Sequence, residues 1–485
     1  MKSIRCKMFN KLQRMPDSVK ASVAFTLCSI IQKGILVISV PIFTRQLSTE
    51  EYGIYTIYLS WLGIIQIFAT LNIFYGVFNN GLIKYDNHDA LTSAMIGLSS
   101  AITSVIFFSF ILMHSIWERV TTLSFSIIVL IFLQVFFEPA FMFWSARQRF
   151  GYKYKKLVLI TILMSIFNLI IGIILVSISS NKSLALIFSN VLVYALVGAF
   201  FYFYYLKKNR SLLNKKIWKY ALWFNLPLLP HYLAGVVLNQ ADRIMIDYYV
   251  NKSAAAIYGV AYTFAFLVNI ISNAISSSFL PYTYQRMKVN DYKSIEKNSI
   301  PVILVICIPT VFIMAFGPEI IKIFAPDEYY KAIWIIPPVA ISAFFSFIYS
   351  LFVNIEFYYE SNKFIMVGST LAAILNIILN CIFIPKYGFI AAGYTTLICY
   401  IIYMIAHCVF YKIIIKKHDI DRIYNIKMIA IISITALLFM ATMLLLYKRI
   451  IIRFFIILGM FIIIIIKRNN IYSAIYSLKK NSKGE

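Results

Sequence analysis

Long apolar runs alternate with short polar segments from Ala21 to Lys467. The runs approach the roughly 20 residues that a helix needs to cross about 30 Å of hydrocarbon. They lack the alternation over about ten residues that marks a membrane strand. Fourteen runs read as spans, starting near Ala21, Tyr52, Ala90, Thr122, Leu157, Leu184, Tyr220, Ala254, Ser299, Ala332, Phe364, Phe389, Met428 and Ile450. The pattern predicts an all-α polytopic membrane protein of about 14 transmembrane helices. The last pair is the least regular, because Lys448, Arg449 and Arg453 crowd the turn between them. The first run carries Gln32 and Lys33 and continues to Phe43, which is too long for a cleaved signal. Upstream, Ile4, Met8 and Leu12 share one face that suits an interfacial helix, with a frayed basic tail as the plainer alternative.

Composition agrees with this reading. Of the 485 residues, 61% are hydrophobic and 13% charged, against about 25% charged in soluble domains. The net charge of +26 would suit nucleic acid if it lay on one domain. Instead it is spread over short loops. By the positive-inside rule, one set of alternate loops holds roughly 33 of the 45 Lys and Arg residues and the other about 10. The rich set contains the N-terminus, 147–156, 207–219, 286–297, 412–427 and the C-terminus. Both termini are therefore expected in the cytoplasm, which requires an even number of spans, and nucleic acid is not an expected partner. The longest outer loop, Gly317–Lys331, is too short for an independent domain. Cys28, Cys307, Cys381, Cys399 and Cys408 fall inside apolar runs, and with Cys6 they form no metal-binding spacing, so no metal or cofactor is expected.

The chain also repeats itself. LSTEEYGIYTIY, containing Tyr52–Gly53, resembles NKSAAAIYGVAYTF, containing Tyr258–Gly259, at an offset of about 206 residues. Lys155 and Asn168 correspond to Lys363 and Asn376 at an offset of about 208. The expected organisation is a basic N-terminus (1–20), a six-helix half (21–206), a basic linker (207–219) and a second six-helix half (220–411). A basic loop (412–427), two further helices (428–466) and a tail (467–485) follow. Six spans per half is even, so the halves are parallel, which suits a transporter with a central cavity. A duplicated scaffold that transports nothing is the alternative.

Charge inside a span costs at least about 2.5–3.5 kcal/mol on insertion scales, so it marks a cavity or a partner. Lys33, Glu138, Asp242, Arg243 and Glu356 are the clear cases, and His231 and His407 are softer ones. Gln32 and Lys33 share a polar helical face, and His231, Asn239, Asp242 and Arg243 form a second stripe. These six residues are the candidate cavity and substrate-binding set. Glu138, Glu356 and Asp247 are candidates for ion coupling or for charge partners. Arg45, Arg147, Arg149 and Arg286, near span ends, are candidate gate residues. Plainer readings remain open. Arg243 and Asp247 have the spacing of an intrahelical pair, Lys33 has snorkelling, and His407 reads as a packed core histidine. Pro227 and Pro230 are expected to kink the inner part of span 7.

Three stretches carry a family resemblance: PIFTRQLSTEEYGIYTIY, APDEYYKAIWIIPPVAIS, and YYESNKFIMVGSTLAAILNIILNCIFIPKYGFIAAGYTTLICYII. With fourteen spans, the chain resembles the polysaccharide transport family of the multidrug/oligosaccharidyl-lipid/polysaccharide flippase superfamily. Within it, the likeness is to bacterial O-antigen or capsule repeat-unit flippases. It runs from Val19 to about Lys417. The resemblance implies two halves around a central cavity and translocation of undecaprenyl-diphosphate-linked oligosaccharide across the bacterial inner membrane by alternating access. The implied partners are that lipid-linked substrate, the bilayer, and polymerase and chain-length proteins of the same pathway. It places Lys33, Asp242 and Arg243 among lumen charges. The rival transporters are a multidrug/cation antiporter and a peptidoglycan-precursor flippase of the same superfamily. The rival from another class is a membrane-embedded polymerase or ligase of lipid-linked sugars. No catalytic residue is expected. Glu50–Glu51 has the position of a helix cap after Ser48, and no GxxxxGK[ST] occurs.

Overall fold

The computed structural model describes residues 16–74 and 76–466. Residues 1–15, with Ile4, Met8, Leu12 and Cys6, and the tail 467–485 lie outside the described residues. The chain divides into two compact units, Met1–Val236 and Val237–Glu485.

In the first unit, α1 (Asp17–Gln46), α2 (Thr49–Thr70), α3 (Gly76–Lys84), α4 (His88–Leu112) and α5 (His114–Thr121) come first. Then follow α6 (Phe125–Phe150), α7 (Tyr154–Ile178), α8 (Lys182–Lys208) and α9 (Lys215–Asn225). The helix α10 (Leu229–Tyr249) carries the chain into the second unit. There α11 (Lys252–Ala265), α12 (Val268–Lys288), α13 (Tyr292–Ala315), α14 (Gly317–Phe324) and α15 (Ile336–Tyr358) precede α16 (Asn362–Tyr387) and α17 (Ile390–Lys417). The last two are α18 (Ile426–Leu446) and α19 (Ile450–Ile466). Thirteen helical segments among the described residues are long and apolar enough to cross a membrane. The described part of α19, where the fourteenth span was expected, is shorter at 17 residues.

The chain marks its helix starts chemically. Side chains of Asn87, Asn181, Asn214, Asn251 and Asn425 each accept a hydrogen bond from the backbone N–H three residues on, satisfying a donor that a helix start leaves open. Ser48 and Glu51 form a capping box: Glu51 N–H donates to Ser48 Oγ at 3.2 Å, and Ser48 N–H donates to Glu51 Oε2 at 2.8 Å. The expected disturbance at Pro227 and Pro230 takes the form of a short 3₁₀ turn within one long helical segment, Lys215–Tyr249. The helix α9 ends at Asn225, a 3₁₀ turn spans Leu226–Leu228, and α10 restarts at Leu229, because proline removes the N–H that would continue the ladder. Upstream of the turn, α9 is bound to the first unit. The Trp218 indole donates to Ala94 O at 2.8 Å, and Asn225 donates to Leu71 O. The two compact units divide between Val236 and Val237, within α10.

Within the first unit, α8 lies on α6 with backbone against backbone. A Cβ on Gly198 would lie 2.4 Å from Phe137 O. Gly198→Ala must push two spans apart at a place where no side chain can yield, and overpacking costs about 1–3 kcal/mol. The expected result is a lowered melting midpoint of the purified protein, at the upper end of that range. In the second unit α15 is central, with 83% of its most apolar stretch buried, against 11% for α1 in the first. One of the three charges that crowd the last turn, Arg453, is paired. Arg453, 1% exposed, donates to Glu319 of α14, and its guanidinium lies 5.7 Å from the Tyr447 ring.

Candidate functional site

Asp242, 1% exposed on α10, is gripped by four donors from three other helices. Its Oδ2 accepts from Tyr258 Oη of α11 at 2.5 Å and Thr396 Oγ1 of α17 at 2.7 Å. Its Oδ1 accepts from Asn380 Nδ2 at 2.7 Å and Asn376 Nδ2 at 3.3 Å, both on α16. Thr395 donates in turn to Asn380 Oδ1. A buried carboxylate persists only where its lone pairs are occupied, and here helix periodicity supplies the partners. Asn376 and Asn380 are one turn apart on a single face of α16.

Arg243, the next residue, points elsewhere. Its Nη1 donates to Asn239 O at 2.8 Å and Gln240 Oε1 at 2.7 Å, and its guanidinium lies 4.3 Å over the Tyr262 ring. Tyr262 Oη donates to Asn239 Oδ1 at 2.8 Å. The intrahelical Arg243–Asp247 pair is not what forms. Asp247 pairs with Lys252 at 3.2 Å. His231 lies at the start of α10 with its ring 5.9 Å from that of Tyr232.

In the first unit, Gln32 donates to Ser165 Oγ at 3.4 Å, which ties α1 to α7. Lys33 is exposed. Glu138 sits in a buried chain of polar groups: Gln134 Nε2 donates to Glu138 Oε2 at 2.8 Å, and Tyr58 Oη donates to Gln134 Oε1 at 2.6 Å. Tyr58 Oη is also 3.1 Å from Asn190 Oδ1. In the second unit, Glu356 pairs with His407, Oε1 to Nδ1 at 2.7 Å, and both are fully buried. His407 is thus a core histidine whose place there depends on a carboxylate.

The four span-end arginines have local partners. Arg147 joins Lys208 on Asp89, so the ends of α6 and α8 share a carboxylate at the start of α4. Arg149 lies 5.4 Å over the Phe25 ring, and Arg45 donates to Pro41 O at 3.0 Å. Arg286 pairs with Asp291 at 3.2 Å. Hydrogen bonding from Ser294, helped by Arg286, holds the Asp291 carboxyl below the usual carboxylate range.

The sequence reading did not assign Tyr258, Asn380, Thr395, Thr396, Gln134, Tyr58 or Asn190 to a site. A signal existed for some of them. Asn376 and Asn380 at helical spacing, and Thr395–Thr396 in the next span, are polar groups that hydrocarbon does not accept unpaired.

The geometry can be set beside known proteins. A family model described as polysaccharide biosynthesis protein matches residues 18–287, more than half of the chain. A protein of the Lsg locus of Haemophilus influenzae is 23% identical over 373 residues, covering 73% of this chain and 88% of that protein. A solved structure titled lipid II flippase MurJ, inward closed conformation, superposes with a TM-score of 0.69 at 16% identity, covering 93% of this chain and all of that one. An inward-facing multidrug resistance MATE family transporter of the MOP superfamily gives 0.59 at 12% identity, over 81% of this chain and 98% of that one. The fold is thus an all-α polytopic fold shared with flippases and MATE transporters, and the chain belongs to the polysaccharide biosynthesis protein family.

Proposed function

We propose that the protein translocates oligosaccharide repeat units linked to undecaprenyl diphosphate, of the O-antigen or capsule kind, from the cytoplasmic to the outer leaflet of the bacterial inner membrane. The observation that carries this reading is the combination of a polysaccharide biosynthesis family with the fold of a lipid II flippase over 93% of the chain. The asymmetry of basic loops supports cytoplasmic termini. Polymerase and chain-length proteins would act on the delivered unit.

Lys33 is the side chain assigned to the diphosphate. It is exposed near the middle of a span, and among the described residues it has no hydrogen-bond or ion-pair partner. Hydrocarbon would be a costly neighbour there, so water and an anionic group are its natural ones. Arg243 supplies positive charge from a fixed position, since its Nη1 is held by Asn239 O and Gln240 Oε1.

Deletion of the gene should leave single lipid-linked repeat units on the inner face of the membrane. In intact spheroplasts they should resist an impermeant glycosidase and become sensitive after lysis. Single units exposed outside would mean that polymerisation or ligation is the missing step, favouring the enzyme reading. No accumulation on either face would redirect the search to drug or ion transport.

A further inference from the structure

We infer that Glu356 and His407 form a proton-binding site within the second unit, one whose proton exchanges only when the packing of α15 against α17 opens to water. The proton's role in transport rests on the flippase reading above; its binding does not.

Both side chains are fully buried and joined by one 2.7 Å hydrogen bond. Each has a second polar atom, Glu356 Oε2 and His407 Nε2, with no hydrogen-bond partner among the described residues. A pair kept for stability alone would be expected to satisfy those atoms, since an orphaned buried polar atom costs about 1–3 kcal/mol. The walls are dry. The rings of Tyr403, Phe410 and Tyr349 lie 4.6, 5.7 and 5.8 Å from the imidazole. On the α16 side, the backbone of Gly368 comes so near that a Cβ there would sit 2.8 Å from Nε2.

Four of the neighbouring helices place named groups by the pair. On α15 and α17 they are the tyrosines Tyr349 and Tyr403. On α16 they are Gly368 and Ser369, the latter hydrogen-bonded to Tyr403. From α12, Tyr284 donates to Asn354 O nearby.

A carboxylate facing a neutral imidazole carries net charge −1. One added proton gives either an acid beside neutral imidazole or a carboxylate beside imidazolium, both of net charge zero. Only the zero-charge form suits a dry, low-dielectric setting. Losing the proton requires water at Oε2 or Nε2, and therefore separation of the helices that bury them. Proton release is in this way linked to a change in packing.

The test uses the purified full-length protein in lipid vesicles, with the isosteric variants Glu356→Gln and His407→Gln and their double. Infrared difference spectra across a pH titration should show a buried carboxyl band in wild type that is absent from Glu356→Gln and displaced in His407→Gln. With lipid-linked oligosaccharide present, an imposed gradient should shift its distribution between leaflets by about tenfold per pH unit for one coupled proton. Both variants should flatten that response. Wild-type spectra in Glu356→Gln, or an unchanged gradient response in both variants, would overturn the proposal. If a single variant is unstable, the double variant, in which two amides bond each other, is read by the same criteria. A titrating band with no oligosaccharide movement under any gradient would remove the flippase reading and leave the proton site standing.

Discussion

Asp242→Ala is expected to cost the protein about 3–5 kcal/mol, because each buried donor left without an acceptor costs about 1–3 kcal/mol and the site relaxes only in part. The substitution strands four donors at once: Tyr258 Oη, Thr396 Oγ1, Asn376 Nδ2 and Asn380 Nδ2. They come from α11, α16 and α17, so the damage reaches three neighbouring helices. Asp242→Asn should cost less, because one oxygen still accepts, although its amide then faces a donor. The measurement is the thermal midpoint in detergent, read together with the amount of protein in the membrane. A midpoint for Asp242→Ala within error of wild type would mean that the cluster holds nothing together.

Lys33→Ala should show the opposite profile, with translocation lost and stability kept. Nothing in the fold depends on the Lys33 ammonium, and alanine is at least as good a helix former. Removing one charge-assisted hydrogen bond to a phosphate is worth about 1.5–3 kcal/mol, or roughly tenfold to a hundredfold in rate if the bond is made at the barrier. Lys33→Arg should retain much of the activity. The measurement is movement of lipid-linked oligosaccharide in vesicles at matched protein content. Full activity in Lys33→Ala would leave the snorkelling reading of this residue in place.

The hydropathy pattern was enough for the membrane class and for nearly all span positions, because bilayer thickness imposes one length on every helix. The capping box at Ser48 was legible too, since its partners are three residues apart. The charge partners were less so. Asp242 is 134, 138 and 154 residues from Asn376, Asn380 and Thr396. Nothing local links them, and only their shared intolerance of hydrocarbon marks them as a set. The Glu356–His407 pair, 51 residues apart, illustrates the same limit. A lone carboxylate in α15 points in sequence to any distant cation as readily as to the imidazole that lies beside it in the fold.

The contact between Arg453 and Glu319 bears on how the polypeptide is made. An arginine makes a nascent helix a poorer substrate for insertion, and Arg453 lies in the first turn of α19. Glu319 is synthesised 134 residues earlier, so its carboxylate is already at the membrane when Arg453 leaves the ribosome. The final hairpin therefore has a waiting acceptor. Its integration becomes a late step of biogenesis that depends on the preceding helices having been laid down, which gives the cell a point at which an incompletely assembled chain differs chemically from a finished one.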